Sequence, residues 1–266
     1  SKEWEGSIKF IFQPAEEMLP GGAQQMIKEG VLENPKVEKM LGQHVFPDLE
    51  VGKVGFRPGK YMASTDELHI TIKGKGGHAA LPEKYNSPLL AAAKLITALD
   101  EFSKKEKDRP CVLAIGFIEG LGSTNVIPEQ VKLKGTLRAM DEDFRMKTHE
   151  KMLAIANTLA ETYSLTIDFD IRKGYPCLVN HEALTKKSIS FAKEYMGTEN
   201  VIDLPIRMTA EDFSYYSQQV PSCFYRLGTA NKSKGITHGL HTSRFNIDES
   251  SLKWGMGLMA YLAIKN

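Results

Sequence analysis

Two adjacent glutamates, Glu16 and Glu17, are the residues whose type and spacing best suit catalytic chemistry. They follow residues 8–12, an apolar run that predicts a buried strand, and the turn residue Pro14. Open α/β sheets place their chemistry beyond the carboxyl ends of their strands. One carboxylate there can bind a metal ion while its neighbour moves a proton. The pair also suits the first turn of a helix, and the local sequence leaves both interpretations open.

Three histidines can extend this acid pair into a metal-binding set. His44 lies near the end of residues 39–47, which we predict to be a second short buried strand ended by its last residue, a proline. Together with Glu17, His44 and one of His238 or His241 offer the nitrogen and oxygen ligands that suit zinc, manganese, cobalt or nickel. A histidine in an apolar strand is also a common hydrogen-bonded core residue, and spacing alone does not choose between His238 and His241.

Composition excludes several classes of protein. The chain has 266 residues, is 42% hydrophobic and 25% charged, and carries a net charge of +1, so we expect no nucleic-acid partner. No apolar run is long enough to span a membrane, so we expect no membrane partner. The three cysteines are far apart and unpaired in pattern, which favours core thiols of a reducing compartment and a cytoplasmic location.

The middle of the chain has a domain pattern of its own. Residues 67–173 alternate as strand, helix, strand, strand, helix and strand, which predicts a ferredoxin-like α+β domain. Its glycine-rich turn, residues 74–80, presents His78 and lacks the glycine spacing of a dinucleotide fingerprint. Parallel-sheet patterns lie on both sides, so this domain interrupts another one.

Seven motifs carry a resemblance to a known family. They are FQPAEE at residues 12–17, GQHVFP at 42–47, GKGGHAA at 74–80, NVIP at 125–128, GTLR at 135–138, TAEDF at 209–213 and LHTSRF at 240–245. Each is weak alone, but together and in this order they resemble the M20 metallopeptidase family over nearly the whole chain. The similarity is greatest to the amidohydrolases that cut N-acyl amino acids, such as hippurate hydrolases, auxin-conjugate hydrolases and N-acetyl-diaminopimelate deacetylases.

The resemblance implies roles for the acids and histidines. Glu16 matches the general base, which takes a proton from the attacking water and passes it to the leaving amine. Glu17, His44 and His241 match metal ligands, whereas His238 does not. The family binds a divalent metal, with two ions in each active site, as zinc or as manganese, cobalt or nickel.

Further roles are implied for residues of the inserted domain. His78 matches a histidine that stabilises the developing oxyanion. Asn125 and Arg138 match residues that hold the substrate carboxylate or the scissile carbonyl. A turn residue is the structural alternative for Asn125, and a surface ion pair is the alternative for Arg138. Glu211 and Asp212 lie in a matching motif, but a helix that opens at residues 209–214 explains them equally well.

The fold implied is α/β, part of a mixed-sheet, zinc-exopeptidase-like catalytic domain. Residues 1–64 and 176–266 would form that domain, and residues 65–175 would be an inserted ferredoxin-like lid and dimerisation domain. The implied partners are an N-acyl amino acid as substrate and a second copy in a homodimer. We expect the crossings near residues 63–66 and 174–176 to act as hinges.

One departure from the family concerns an upstream segment. The family pattern includes a histidine-and-aspartate strand motif and, in this branch, a Cys-Gly-His-Asp turn, and neither occurs in this sequence. We therefore expect a fragment that binds metal poorly and does not turn over by itself. Zinc content and N-acetyl amino acid hydrolysis, measured on this polypeptide alone, test that expectation. An M20 dipeptidase or carboxypeptidase and a catalytically silent dimerisation or binding module are the alternatives.

Overall fold

The computed structural model describes residues 5–105 and 109–266. They form two compact units, and each is defined here by its residues. Within the described residues, the split unit comprises residues 5–61, Leu178–Arg207 and Glu211–Asn266, and the inserted unit comprises residues 62–105 and 109–177 with Met208–Ala210. The roles of catalytic domain and lid stay predictions. In the described parts of the chain, no helix is long and apolar enough to cross a membrane.

The elements are numbered in chain order. The strands are β1 Met40–Glu50, β2 Val54–Phe56, β3 Gly59–Met62, β4 Asp66–Lys73, β5 Gly77–His78, β6 Cys111–Glu119, β7 Val126–Ile127, β8 Gln130–Ala139, β9 Thr166–Lys173, β10 Leu178–Asn180, β11 Val201–Asp203 and β12 Ser222–Ala230. The α-helices are α1 Gly22–Lys28, α2 Pro88–Lys105, α3 Glu142–Thr162, α4 Glu182–Met196, α5 Ser214–Ser217 and α6 Ser250–Lys265.

The split unit is built on a mixed sheet in the order β1-β12-β2-β11. Strand β12 runs parallel to β1 and antiparallel to β2, and β2 runs parallel to β11. Every residue of β12 is buried, because it lies inside the sheet and packs against α4 and α6. Phe56 and Tyr225 stack in this core with ring centroids 4.9 Å apart. An α/β fold with mixed sheets is therefore confirmed.

The inserted unit has an antiparallel sheet in the order β6-β8-β4-β9. Along β4, Leu68, Ile70 and Ile72 are buried and alternate with more exposed polar residues. These three side chains pack against buried residues of α2 and α3, which cover the same face. The predicted order of strand, helix, strand, strand, helix and strand is confirmed for this sheet and its two helices, which have the split βαβ connectivity. The short strands β5 and β7, which were not predicted, lie between these elements.

The prediction of a buried strand at residues 8–12 is wrong. Phe10 and Phe12 are 77% and 88% exposed, and the segment forms no strand. Apolar, β-branched sequence favours an extended backbone, but a strand also needs a neighbour to complete its hydrogen bonds. Among the described residues, no ladder partner adjoins this segment.

Two further expectations are corrected. Strand β1 is neither short nor fully buried, and it continues past Pro47. Because β1 is an edge strand whose register with β12 shifts between Phe46 and Glu50, a residue without an N–H is tolerated there. The helix predicted to open at residues 209–214 is also wrong, since only the four residues of α5 are helical and Thr209 instead accepts a hydrogen bond from the backbone of Ala63.

Candidate metal centre

The acid pair lies in residues 13–23, a loop together with the first two residues of α1, which we call the acid loop. Ala15 has a left-handed backbone with φ of 57°, so the chain turns sharply just before Glu16 and Glu17. Both ends of the acid loop meet the Asp212 carboxylate. Gln13 Nε2 lies 2.8 Å from each Asp212 oxygen, and the backbone N–H of Ala23 donates to Oδ2 at 3.0 Å.

Three carboxylates converge beside this loop and form what we call the acid cluster. One oxygen each from Glu16, Glu211 and Asp212 lies within 4.8 Å of the others. Burial raises the pKa of Glu16, and the negative charges of Glu17 and Asp212 raise it further. Burial, followed by the charges of Glu16 and Asp212, raises the pKa of Glu211 to about 8. Negative charges that lie close together and are shielded from water repel each other, and a bound proton or a bound cation relieves that repulsion.

His44 is held as a neutral imidazole. Burial, and then the charge of Arg226, lowers the pKa of His44 to about 4, against the opposing effect of its hydrogen bond to Val45. Nδ1 lies 2.6 Å from the carbonyl oxygen of Val45. Because a carbonyl only accepts, Nδ1 carries the proton, and Nε2 keeps the lone pair that a metal ligand needs.

The structure also brings His241 to Glu17. The Nδ1 atom of His241 lies 3.9 Å from Oε1 of Glu17, and both side chains are about three quarters exposed. His241 has a left-handed backbone with φ of 58°, in the loop that precedes α6. Its charge also lowers the pKa of His44, although it is the weakest of the causes.

Among the described residues, the acid cluster is the group whose ligand atoms lie close enough together to hold an ion, and the predicted ligands Glu17, His44 and His241 do not form such a group. By type, carboxylates and a neutral imidazole are the oxygen and nitrogen ligands that zinc and manganese accept. The repulsion within the acid cluster favours a divalent cation, because a cation beside it would offset charges that the fold concentrates.

Sequence reasoning missed Arg226 and left Glu211 and Asp212 open. Arg226 is buried in β12 opposite His44, its Nε lies 3.1 Å from the Tyr61 hydroxyl, and its guanidinium lies 5.1 Å from the centre of the Phe224 ring. The sequence signal was a single arginine inside an otherwise uncharged strand, since a buried charge requires partners.

In the inserted unit, His78 and Asn125 lie in one small ribbon. Strands β5 and β7 pair with His78 opposite Val126, and the Ala79 N–H donates to the Asn125 carbonyl at 2.9 Å. His78 Nδ1 accepts from the Ala80 N–H at 3.1 Å. The proton of a neutral His78 is therefore on Nε2, which makes this atom a hydrogen-bond donor.

Arg138 lies apart from that ribbon, in the inner strand β8. It is half-buried and is paired in register with Val112 of β6. Burial lowers the pKa of Arg138, and the charge of Asp66 partly offsets that effect. The proposed roles of His78, Asn125 and Arg138 towards a substrate stay predictions.

Comparison with known proteins identifies the family. The family model described as Peptidase family M20/M25/M40 matches residues 1–265, so the chain belongs to this family. It is 33% identical to the N-acetyldiaminopimelate deacetylase of Geobacillus sp. over 97% of this chain and 68% of that enzyme. It is also 33% identical to thermostable carboxypeptidase 2 of Saccharolobus solfataricus, over 98% of this chain and 66% of that protein.

A solved structure extends the similarity to three dimensions. The Bacillus subtilis YXEP protein, a dinuclear metal-binding peptidase from the M20 family, is 29% identical and superposes with a TM-score of 0.79. The match covers 99% of this chain and 66% of that one. The chain spans about two thirds of the length of the curated relatives it matches.

Proposed function

We propose that this protein hydrolyses the amide bond of N-acyl amino acids, such as N-acetyl amino acids, in a metal-dependent reaction that releases the amino acid and a carboxylic acid. The observation that carries the proposal is the acid cluster, which contains the general-base candidate Glu16. The ligand candidate Glu17 follows Glu16 directly in the sequence. The similarity to a deacetylase of an N-acetylated amino acid supports this substrate class.

Glu17, His44 and His241 would hold the metal. We propose two ions per site, as in the dinuclear relative, with zinc, manganese, cobalt or nickel as candidates. A divalent ion, when bound, supplies Lewis acidity that activates water and polarises the scissile carbonyl. His44 suits this role because burial keeps its imidazole neutral at physiological pH.

Glu16 would move the proton. Burial and the charges of the neighbouring acids raise its pKa, which makes the carboxylate a stronger base. It would take a proton from the attacking water and deliver it to the nitrogen of the departing amino acid.

The inserted, ferredoxin-like unit would act as a lid on a zinc-exopeptidase-like catalytic domain. The N–H at Nε2 of His78 would donate to the carbonyl oxygen as negative charge develops on it, and Asn125 and Arg138 would hold the substrate carboxylate. Carrying a donor on a lid links closure to chemistry, because the oxyanion is stabilised only after the substrate is enclosed.

The same unit would form a homodimer through strand β6. Residues 111–118 of this edge strand carry no charge, and Val112, Phe117 and Ile118 are exposed. Native sheets normally protect an exposed edge with charged residues, as the opposite edge strand β9 does. We expect Ile118→Lys to yield monomers in analytical ultracentrifugation and Asp168→Lys on β9 to leave the dimer intact. Monomeric wild-type protein would contradict the dimer.

We further propose a cytoplasmic location, which the free thiols of Cys177 and Cys223 in the core support. A carboxypeptidase is the second candidate function, because a thermostable carboxypeptidase is as similar as the deacetylase. Both functions use the same metal ligands and general base, so substrate profiling must separate them.

The test is hydrolysis by the full-length gene product, loaded with zinc or manganese, against N-acetyl and N-benzoyl amino acids and dipeptides. We expect N-acyl amino acids to react and Glu16→Gln to lower kcat by about 10²–10⁴-fold. The exposed Glu199→Gln is the matched control and keeps full activity. Faster cleavage of dipeptides would favour the carboxypeptidase, and no hydrolysis of either class would refute both.

A further inference from the structure

The carboxylate of Asp212, one member of the acid cluster, lies against the acid loop. Its side chain is 1% exposed, and both oxygens accept N–H donors from the acid loop. Oδ1 accepts from Gln13, and Oδ2 accepts from Gln13 and from the backbone of Ala23. These donors stand 199 and 189 residues away in sequence, so the contact is purely tertiary.

The donors stand at the two ends of the acid loop. Gln13 begins the loop, and Ala23 is the second residue of α1, where backbone N–H groups have no partner within the helix. The ends are also packed together, since a Cβ on Gly22 would lie 1.8 Å from the carbonyl oxygen of Pro14. One carboxylate therefore closes the base of the loop whose other residues include Glu16 and Glu17.

We propose that Asp212 is a positioning residue, which anchors both ends of the acid loop and so fixes where Glu16 and Glu17 present their carboxylates. The inference rests on the proposed function for its catalytic consequence, but the anchor itself is a property of this fold. In this role Asp212 acts through the loop, because both of its oxygens accept N–H donors from the acid loop.

A swap of the two polar partners gives a sharp test. In Asp212→Asn, a single oxygen must serve both Gln13 and Ala23, and in Gln13→Glu two carboxylates face each other. The double variant Gln13→Glu/Asp212→Asn restores the pair with reversed polarity. Its new amide donates to the new carboxylate, and its remaining amide oxygen still accepts from Ala23.

The control is His181→Ala, which removes the side-chain cap of α4 in the same unit without touching the acid loop. Three quantities are measured. Hydrogen exchange reports the acid loop amides, competition with a chromogenic chelator reports zinc affinity, and kcat and KM are determined with N-acetyl amino acids on the full-length gene product.

We expect each single variant to speed exchange in the acid loop and to lower zinc affinity and kcat by about 10–100-fold. KM changes less than about threefold, because Asp212 does not touch the substrate. The double variant recovers to within about fivefold of wild type, and His181→Ala lowers the melting temperature alone. A purely electrostatic role predicts instead that Gln13→Glu, which adds negative charge, strengthens zinc binding.

Two results would overturn the anchor: stronger zinc binding in Gln13→Glu, or a double variant no better than the worse single variant. The anchor can also fail separately from the proposed function. If wild-type protein binds no zinc and cleaves no N-acyl amino acid, the proposed function is wrong, and unchanged exchange in both single variants would then refute the anchor by itself.

Discussion

Two buried aspartates, one in each unit, are held by different kinds of partner. Asp66 of the inserted unit is fully buried and accepts from Nε of Arg145 at 2.9 Å and from Nε2 of His149 at 2.6 Å. Asp212 of the split unit accepts only neutral amide donors in the contacts described above. It also stands within the acid cluster, beside Glu16 and Glu211.

The difference separates a structural network from a site that needs a ligand. Arg145 balances the charge of Asp66 inside the fold, and it also donates to the carbonyls of Thr65 and Gly174, where β4 begins and β9 has just ended. The amides that bind Asp212 fix its position but bring no positive charge. We therefore expect the inserted unit to be stable by itself and the acid cluster to gain stability from a divalent cation.

Arg145→Met should have the largest effect. Removing the cation leaves the Asp66 carboxylate buried without its main partner, so the free energy of unfolding of the inserted unit should fall by about 3–5 kcal/mol. Urea denaturation followed by circular dichroism measures it. The matched control is Arg172→Met, whose ion pair with Asp170 is exposed and contributes about 0–1 kcal/mol. Equal losses in the two variants would refute the structural role of the Asp66 network.

Metal removal should affect the other unit. At a zinc concentration about 100 times Kd, binding should stabilise the split unit by about 2.7 kcal/mol, and a chelator should abolish that gain. Differential scanning calorimetry of the full-length gene product with and without zinc measures the shift, and Arg145→Met should retain it. A zinc-dependent shift in the inserted unit alone would reverse the comparison.

Gly22→Ala should have a smaller effect that is confined to the acid loop. A methyl group at this position would meet the Pro14 carbonyl at 1.8 Å, so the base of the loop must open. Overpacking of this kind costs about 1–3 kcal/mol. Thermal unfolding should register that loss, and zinc titration should show weaker binding. Gly116→Ala, where an added methyl group meets open space, is the control. Unchanged zinc affinity in Gly22→Ala would show that the loop base does not position the site.

Local sequence patterns predicted the inserted unit well. Leu68, Ile70 and Ile72 alternate with polar residues, and that period of two fixes which face of β4 packs against the helices. The four strands of its main sheet and its two long helices can be inferred from short windows, because the signal and the packing are both local. The two-residue strands β5 and β7 were not predicted. Residues 8–12 also carry a strong local signal, yet they form no strand, since pairing depends on neighbours that a window does not contain.

The candidate site could be predicted only in part. Motif order assigned a ligand role to Glu17 and to His241, and the structure places the two side chains 3.9 Å apart, although their roles stay predictions. The contact of Gln13 with Asp212 joins residues 199 positions apart, and no spacing rule connects them. The sharp turn at Ala15 was equally hidden, because alanine does not favour a positive φ.

The smallest expected effect is a change in how the free energy of unfolding depends on pH under acidic conditions. Burial raises the pKa of Asp66, but the hydrogen bonds from Arg145 and His149 outweigh it and hold that pKa below its usual value. A depressed carboxyl pKa stabilises the fold above the unfolded pKa of about 3.9, and this contribution is lost as the pH falls through the folded value. Asp66→Asn, although less stable throughout, should therefore show a flatter dependence of unfolding free energy on pH below about pH 4 than wild type.

Asp170→Asn, which changes an exposed acid, should keep the wild-type slope in urea titrations from pH 2 to 6. Identical slopes for wild type and Asp66→Asn would mean that Asp66 is not ionised in the fold, and the contrast with the acid cluster would then rest on geometry alone.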